Sequence, residues 1–150
     1  MFIIEIFQNH LLVNALLGWL FAQVIKAIIA ALQTGRFDWH KLHSDGGMPS
    51  CHSATVVSLA ISAGIYYGFE SAAFGLSTIL AIIVMHDAMG VRQEAGKHAR
   101  LLNKILTQAG KSDPGEAMKE FLGHTPLQVL AGGLIGAGVG LLFSLVVWPV

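Results

Sequence analysis

Gly46-Gly47-Met48-Pro49-Ser50-Cys51-His52-Ser53-Ala54 places a Gly/Pro turn, two hydroxyls and a histidine immediately ahead of an apolar segment. The turn ends whatever precedes it, and a serine there can cap a helix starting near Ser50 or Ser53. The first amides of such a helix have no intrahelical acceptor and share the positive end of the dipole, so they can face an anion. Capping alone accounts for the hydroxyls. His52 is different, because an imidazole at a glycine-lined boundary has little packing value and is well suited to give or take a proton.

The chain around this stretch is apolar. With 150 residues, 54% of them hydrophobic and 12% charged, and with 17 glycines, it reads as a single integral membrane domain, 1–150, and not as a soluble protein. The formal net charge is +0, and no nucleic-acid partner is expected. Cys51 is the lone cysteine, so an intramolecular disulfide is excluded. Met1 to Phe7 has no positive n-region and Glu5 interrupts it, so the first hydrophobic run is expected to be retained.

The expected fold class is all-α: an integral membrane protein of about four transmembrane helices plus a cytoplasmic amphipathic helical loop. Leu11 to Leu32 is apolar over the length of a span, broken by Asn14, Gln23 and Lys26. Trp19 reads as packing; Lys26 fits either a lysine snorkelling from a helix end or a phosphate ligand. Gln33 to Gly47 is a polar connection carrying Arg36, Asp38, His40, Lys41, His43 and Asp45, with Trp39 as a surface anchor. Ala54 to Tyr67 and Ala72 to Met85, separated by Gly68-Phe69-Glu70-Ser71, predict a tight helical hairpin. Each arm falls short of the roughly 20 residues of a full span, so polar residues from Ser50 and toward Gly90 must extend them. That extension draws His52, Ser53, His86 and Asp87 to the membrane boundary.

Beyond Gly90, Arg92, Glu94, Lys97, His98, Arg100 and Lys104 recur at helical spacing, with Leu101, Leu102, Ile105 and Leu106 as an apolar side. This predicts an amphipathic helix lying on the surface. A further helix is expected from Pro114 to about Leu122. Pro126 to Val150 is the last span, and its Gly132, Gly133, Gly136, Gly138 and Gly140 suit close helix contact. All nine Lys and Arg residues fall at the inner end of the first span or in the two long loops. Those loops are therefore expected on the cytoplasmic side and both termini outside.

One face then collects His52, Lys26, Arg36, Lys41, His86, Asp87, Arg92 and a second capped helix start at Gly123-His124-Thr125-Pro126. His124 precedes the last span as His52 precedes the second. Two imidazoles among cations suit phosphoryl transfer, one attacking phosphorus and the other protonating the leaving oxygen, with cations and amides on the equatorial oxygens. A capping or interface role for His124 fits this feature equally well.

Pro49-Ser50-Cys51-His52 resembles the Pro-Ser-Gly-His motif of the type 2 phosphatidic acid phosphatase and vanadium haloperoxidase superfamily. His124-Thr125-Pro126-Leu127-Gln128-Val129, with Gly132 to Gly136 after it, resembles that superfamily's third motif. Together with His86-Asp87-Ala88-Met89-Gly90-Val91-Arg92, the pattern is similar to the small bacterial divergent branch of the superfamily, over nearly the whole chain. The resemblance implies that His124 is the nucleophile forming a phosphohistidine, that His52 is the general acid, and that Ser50 and nearby amides hold phosphate. Three departures accompany it. Gln128 stands where an aspartate orients the nucleophile, and a neutral amide cannot offset imidazolium charge, so Asp87 or Asp45 is the acid expected to take over. Lys26 precedes Arg36 by ten residues with no proline following, where the first motif has Lys and Arg-Pro after six. Met118 occupies the third-motif arginine position, with Arg92 as replacement.

The expected catalytic set is thus His124, His52, Asp87 and Gln128, and the expected phosphate-binding set Lys26, Arg36, Gly47, Ser50, Cys51, Ser53 and Arg92. No cofactor is expected; the rival mechanism holds Mg²⁺ on Asp45, Asp87 and Glu94. The expected activity is hydrolysis of a lipid phosphomonoester at the cytoplasmic leaflet of a bacterial inner membrane, with phosphatidylglycerophosphate as first choice and phosphatidic acid and polyprenyl phosphates open. A non-catalytic protein that binds anionic lipid or acts as a scaffold is the alternative from another class. Self-association into a homo-oligomer is also expected, since so small a helical unit shields little polar surface from lipid.

Overall fold

The computed structural model describes residues 2–35, 47–110, 117, 118, 120 and 123–149. These residues are helical and contain no strand. In chain order they form α1 (Phe2–Gln8), α2 (His10–Thr34), α3 (Cys51–Tyr67), α4 (Ala72–Met89), α5 (Val91–Gln108) and α6 (Pro126–Leu142), and α6 ends in a π-helical turn, Phe143–Val147. Among the described residues three stretches are long and apolar enough to cross a membrane: His10–Thr34, Ala72–Gln108 and Pro126–Val147. α3 is shorter, at 17 residues, and lies innermost, packed against α2, α4 and α6.

Capping side chains set where these helices begin. Asn9, Ser50, Ser71 and Thr125 each accept from a backbone N–H inside the first turn of α2, α3, α4 and α6. The polar extension expected of both hairpin arms is present, since α3 starts at Cys51 and α4 runs to Met89. The amphipathic helix after Gly90 is α5, with Gly96 and Ala99 buried and Leu101, Leu102 and Ile105 exposed. A helix from Pro114 to Leu122 is not found at 117, 118 or 120, which carry no regular structure; the rest of that segment, like the connection holding Trp39, His40, Lys41 and His43, lies outside the described residues. Trp19 is 43% exposed, so it faces outward and does not pack inside.

Rows of mostly small residues at four-residue intervals form the interior, with Lys26 the long exception on α2. On α2 the buried row is Asn14, Gly18, Ala22 and Lys26; on α3 it is Ala54, Ser58 and Ser62; on α6 it is Gly132, Gly136 and Gly140, continued by Ser144. A Cβ added at Gly132 would run into the Ser50 carbonyl oxygen, one at Gly136 into the Ala54 carbonyl oxygen, and one at Gly140 would lie 3.0 Å from the Ser58 carbonyl oxygen. Gly18 meets α3 from the other side, its added Cβ falling 2.8 Å from the Ala54 oxygen. α3 is therefore clasped between α2 and α6 at backbone contact. In lipid, where apolar burial gives no drive between helices, this close approach supplies the packing.

The two ends of the bundle differ. At one end Asn14 Nδ2 donates to Ser62 Oγ at 2.9 Å and Ser144 Oγ at 3.0 Å, tying α2, α3 and the π-turn together. Nearby, the His10 ring stacks on Trp148 with centroids 5.1 Å apart, and Tyr66 donates to the Trp148 carbonyl at 2.9 Å. The other end gathers the starts of α3 and α6 and the end of α4.

Candidate active site

Two backbone hydrogen bonds assemble that second end. Ser50 N–H donates to the Gln128 carbonyl at 3.1 Å, joining the start of α3 to the first turn of α6, and His124 N–H donates to the Ala88 carbonyl of α4 at 2.9 Å. Gly123 makes the approach to α5: its φ is +86°, and a Cβ there would lie 2.5 Å from the Gln93 amide nitrogen.

The sequence Thr125-Pro126-Leu127-Gln128 folds as a capping box, with Pro126 at the position where its missing N–H costs nothing. Gln128 Oε1 accepts from Thr125 N–H at 3.1 Å and lies 3.2 Å from His124 Nδ1. Because a backbone N–H can only donate, the Gln128 atom facing it is the oxygen, and Nδ1 must be the protonated ring nitrogen. Nε2 then carries the lone pair. The local signal that begins α6 thus also fixes the tautomer of the histidine before it.

His124 lies outside the spanning segment and is only 3% exposed. Burial holds its pKa below the ordinary 6.5, the Gln128 hydrogen bond opposes this, and the charges of Lys26, His52 and Arg92 push further down. That coupling brings His124, His52, Lys26 and Arg92 into one electrostatic neighbourhood. A histidine with a depressed folded-state pKa contributes stability above its unfolded pKa that is lost on acidification. The thermal midpoint in detergent is therefore expected to fall as pH drops below 6.5, and His124→Asn is expected to flatten that fall. An equal slope in the variant removes the buried neutral imidazole as its cause.

The other expected site residues separate into groups. Lys26 is 6% exposed and bonds toward Cys51, so it points into the bundle and does not snorkel. Cys51 is buried, with Sγ donating to Gln23 Oε1 at 3.1 Å. Ser50 and Ser53 are fully buried; Ser50 Oγ accepts from Ser53 N–H at 3.3 Å and from Ser53 Oγ at 2.9 Å, as the helix cap requires. His52 is exposed on the outer side of the first turn of α3. Asp87 does not reach the His124 ring, whose Nδ1 partner is Gln128; it accepts from Arg92 Nε at 2.8 Å. Glu94 accepts from Lys97 at 2.7 Å. Among the described residues no three His, Cys, Asp or Glu side chains converge as a metal site would require. Arg36 and Asp45 lie outside the described residues.

Against His124 opens a cavity of about 350 Å³ lined by Gly47, Gln128, Gln93, Lys97, Arg100 and Glu120, among others. The α5 side chains in this wall were not expected in the site. Gln93, Gly96, Lys97 and Arg100 recur at i, i+3, i+4 and i+7, so their common face was readable, but its charges read equally well as a solvated surface.

A family model described as the divergent PAP2 family matches residues 7–139. The "Uncharacterized membrane protein YuiD" of Bacillus subtilis (strain 168) is 37% identical over 145 residues, covering 88% of this chain and 92% of that protein. No solved structure matches.

Proposed function

Since the chain belongs to the divergent PAP2 family, we propose that it is a membrane phosphatase that removes a terminal phosphate from a lipid through a phosphohistidine intermediate. The observation that carries this reading is His124: buried, held neutral, with Nδ1 protonated toward Gln128 and Nε2 left as the nucleophilic nitrogen. In the first step the Nε2 lone pair attacks phosphorus, the P–O ester bond breaks, and the leaving oxygen takes a proton from His52. In the second step water attacks the phosphohistidine, gives its proton to His52, and the P–N bond breaks to release phosphate. Lys26 and Arg92 neutralise the phosphoryl oxygens, where most of the stabilisation in phosphoryl transfer lies.

The membrane arrangement proposed with it has four spans, α3 being the short innermost one at the lower end of the workable length range. Both termini lie outside, and the basic loops and site lie on the cytoplasmic side of a bacterial inner membrane. A site on that face favours a biosynthetic phospholipid, with phosphatidylglycerophosphate as first choice. Mg²⁺ is not used as a ligand in this scheme, and phosphate release is expected to survive EDTA. The deciding experiment is phosphate release from phosphatidylglycerophosphate, phosphatidic acid and polyprenyl phosphate by the purified protein in detergent. Release from at least one supports the enzyme. Binding without release from any supports the non-catalytic reading that the neutral Gln128 keeps open.

A further inference from the structure

Of the groups assigned to the reaction, His124 and its capping partner Gln128 line the cavity, while His52, Lys26 and Arg92 do not. The opposite wall is α5, and the two α5 cations that line it, Lys97 and Arg100, have no role in the chemistry at His124. Arg100 reaches Glu120 through Nε at 3.3 Å, leaving its two terminal nitrogens without a partner among the described residues. The Gln93 amide, also in the wall, has no hydrogen-bond partner among the described residues. Both Glu120 oxygens accept, one from Arg100 and the other from Asn103 Nδ2 at 3.0 Å, so the carboxylate is held as the ion-pair partner of Arg100 Nε. Lys97 is paired with Glu94 at 2.7 Å, so the wall offers N–H donors on two ion-paired cations and no net charge. A guanidinium fork beside an ammonium group and an amide donor suits a phosphate, and the cavity is larger than one phosphate fills.

We infer that the α5 wall is a second anion subsite, so that the substrate carries two phosphate groups: the terminal one at His124 and the next one against Arg100, Lys97 and Gln93. The substrate class is then a lipid with a phosphodiester inside its headgroup beyond the reacting phosphomonoester, in preference to a lipid with one phosphate. This rests on the phosphatase reading for the identity of the group at His124.

The test separates the two. Binding of propane-1,3-diphosphonate and of propylphosphonate, neither of which can be hydrolysed, is measured by calorimetry on the full-length protein in detergent at fixed salt. Wild type is expected to bind the diphosphonate at least about tenfold more tightly, and Lys97→Gln with Arg100→Gln is expected to reduce that ratio to about twofold or less. Both side chains are largely exposed, so the double variant is expected to fold. Equal affinity of wild type for the two probes, or a ratio that survives in the double variant, overturns the subsite. In parallel, kcat/KM is compared for phosphatidylglycerophosphate and phosphatidic acid. Turnover of both without discrimination overturns the subsite while leaving the phosphatase standing. No turnover of any lipid overturns the phosphatase reading, and the binding ratio still decides the subsite.

Discussion

His124→Ala is expected to slow phosphate release by about a thousandfold or more on every substrate the wild type accepts, because in the proposed mechanism it deletes the atom that bonds to phosphorus. Wild type quenched in alkaline detergent, where the P–N bond of a phosphohistidine survives, is expected to retain radiolabelled phosphate on a histidine, and the variant to retain none. His52→Ala gives a different pattern, since a general acid matters in proportion to the basicity of the leaving oxygen. With alkyl phosphates the loss is expected to be about 10²- to 10⁴-fold. With p-nitrophenyl phosphate, whose leaving oxygen departs without a proton, the loss is expected to be much smaller. His52 is exposed, so its replacement leaves packing intact. Equal losses on both leaving groups would remove His52 as the acid, and unchanged release in His124→Ala would remove the whole scheme.

Gly132→Ala and Gly136→Ala are expected to produce the largest losses of stability from the smallest change of side chain. The added methyl meets a main-chain carbonyl of α3 in each case, and main chain cannot rotate aside as a flexible side chain would. Relief requires α6 to move away from α3, which opens the Ser50 to Gln128 hydrogen bond and displaces the turn that holds His124. Overpacking of this kind costs about 1–3 kcal/mol, and sometimes more. Gly138→Ala is the matched control: a Cβ there has nothing within 4 Å, and alanine is the better helix former by about 1 kcal/mol. Thermal unfolding in detergent is expected to show a lower midpoint for the first two variants and an unchanged or higher one for the third. A similar fall in all three would mean that glycine content, and not backbone contact, is what α6 requires.

Much of this molecule follows from short-range chemistry. Ser50 and Thr125 cap helices because their oxygens reach an amide three residues on, and Gln128 closes the box because it is three residues from the cap and four from His124. Such relations are complete within one turn, so they can be read without the fold. The long apolar runs and the glycine rows are equally local, and with them the sequence alone determined an all-helical membrane protein with histidines at two helix starts.

Only the tertiary structure decided which of those features meet. Lys26 turns inward because Gly18 and Ala22 let α2 approach α3, and nothing near Lys26 in the chain distinguishes that from snorkelling. Asp87 lies on Arg92 and not on His124 because the Ala88 carbonyl takes the His124 amide, a bond between residues 36 apart. The α5 wall belongs to the cavity because Gly123 lets the chain rest on the Gln93 backbone. Contacts of this kind depend on two separate surfaces fitting at backbone distance, and a residue pattern describes each surface without naming its partner.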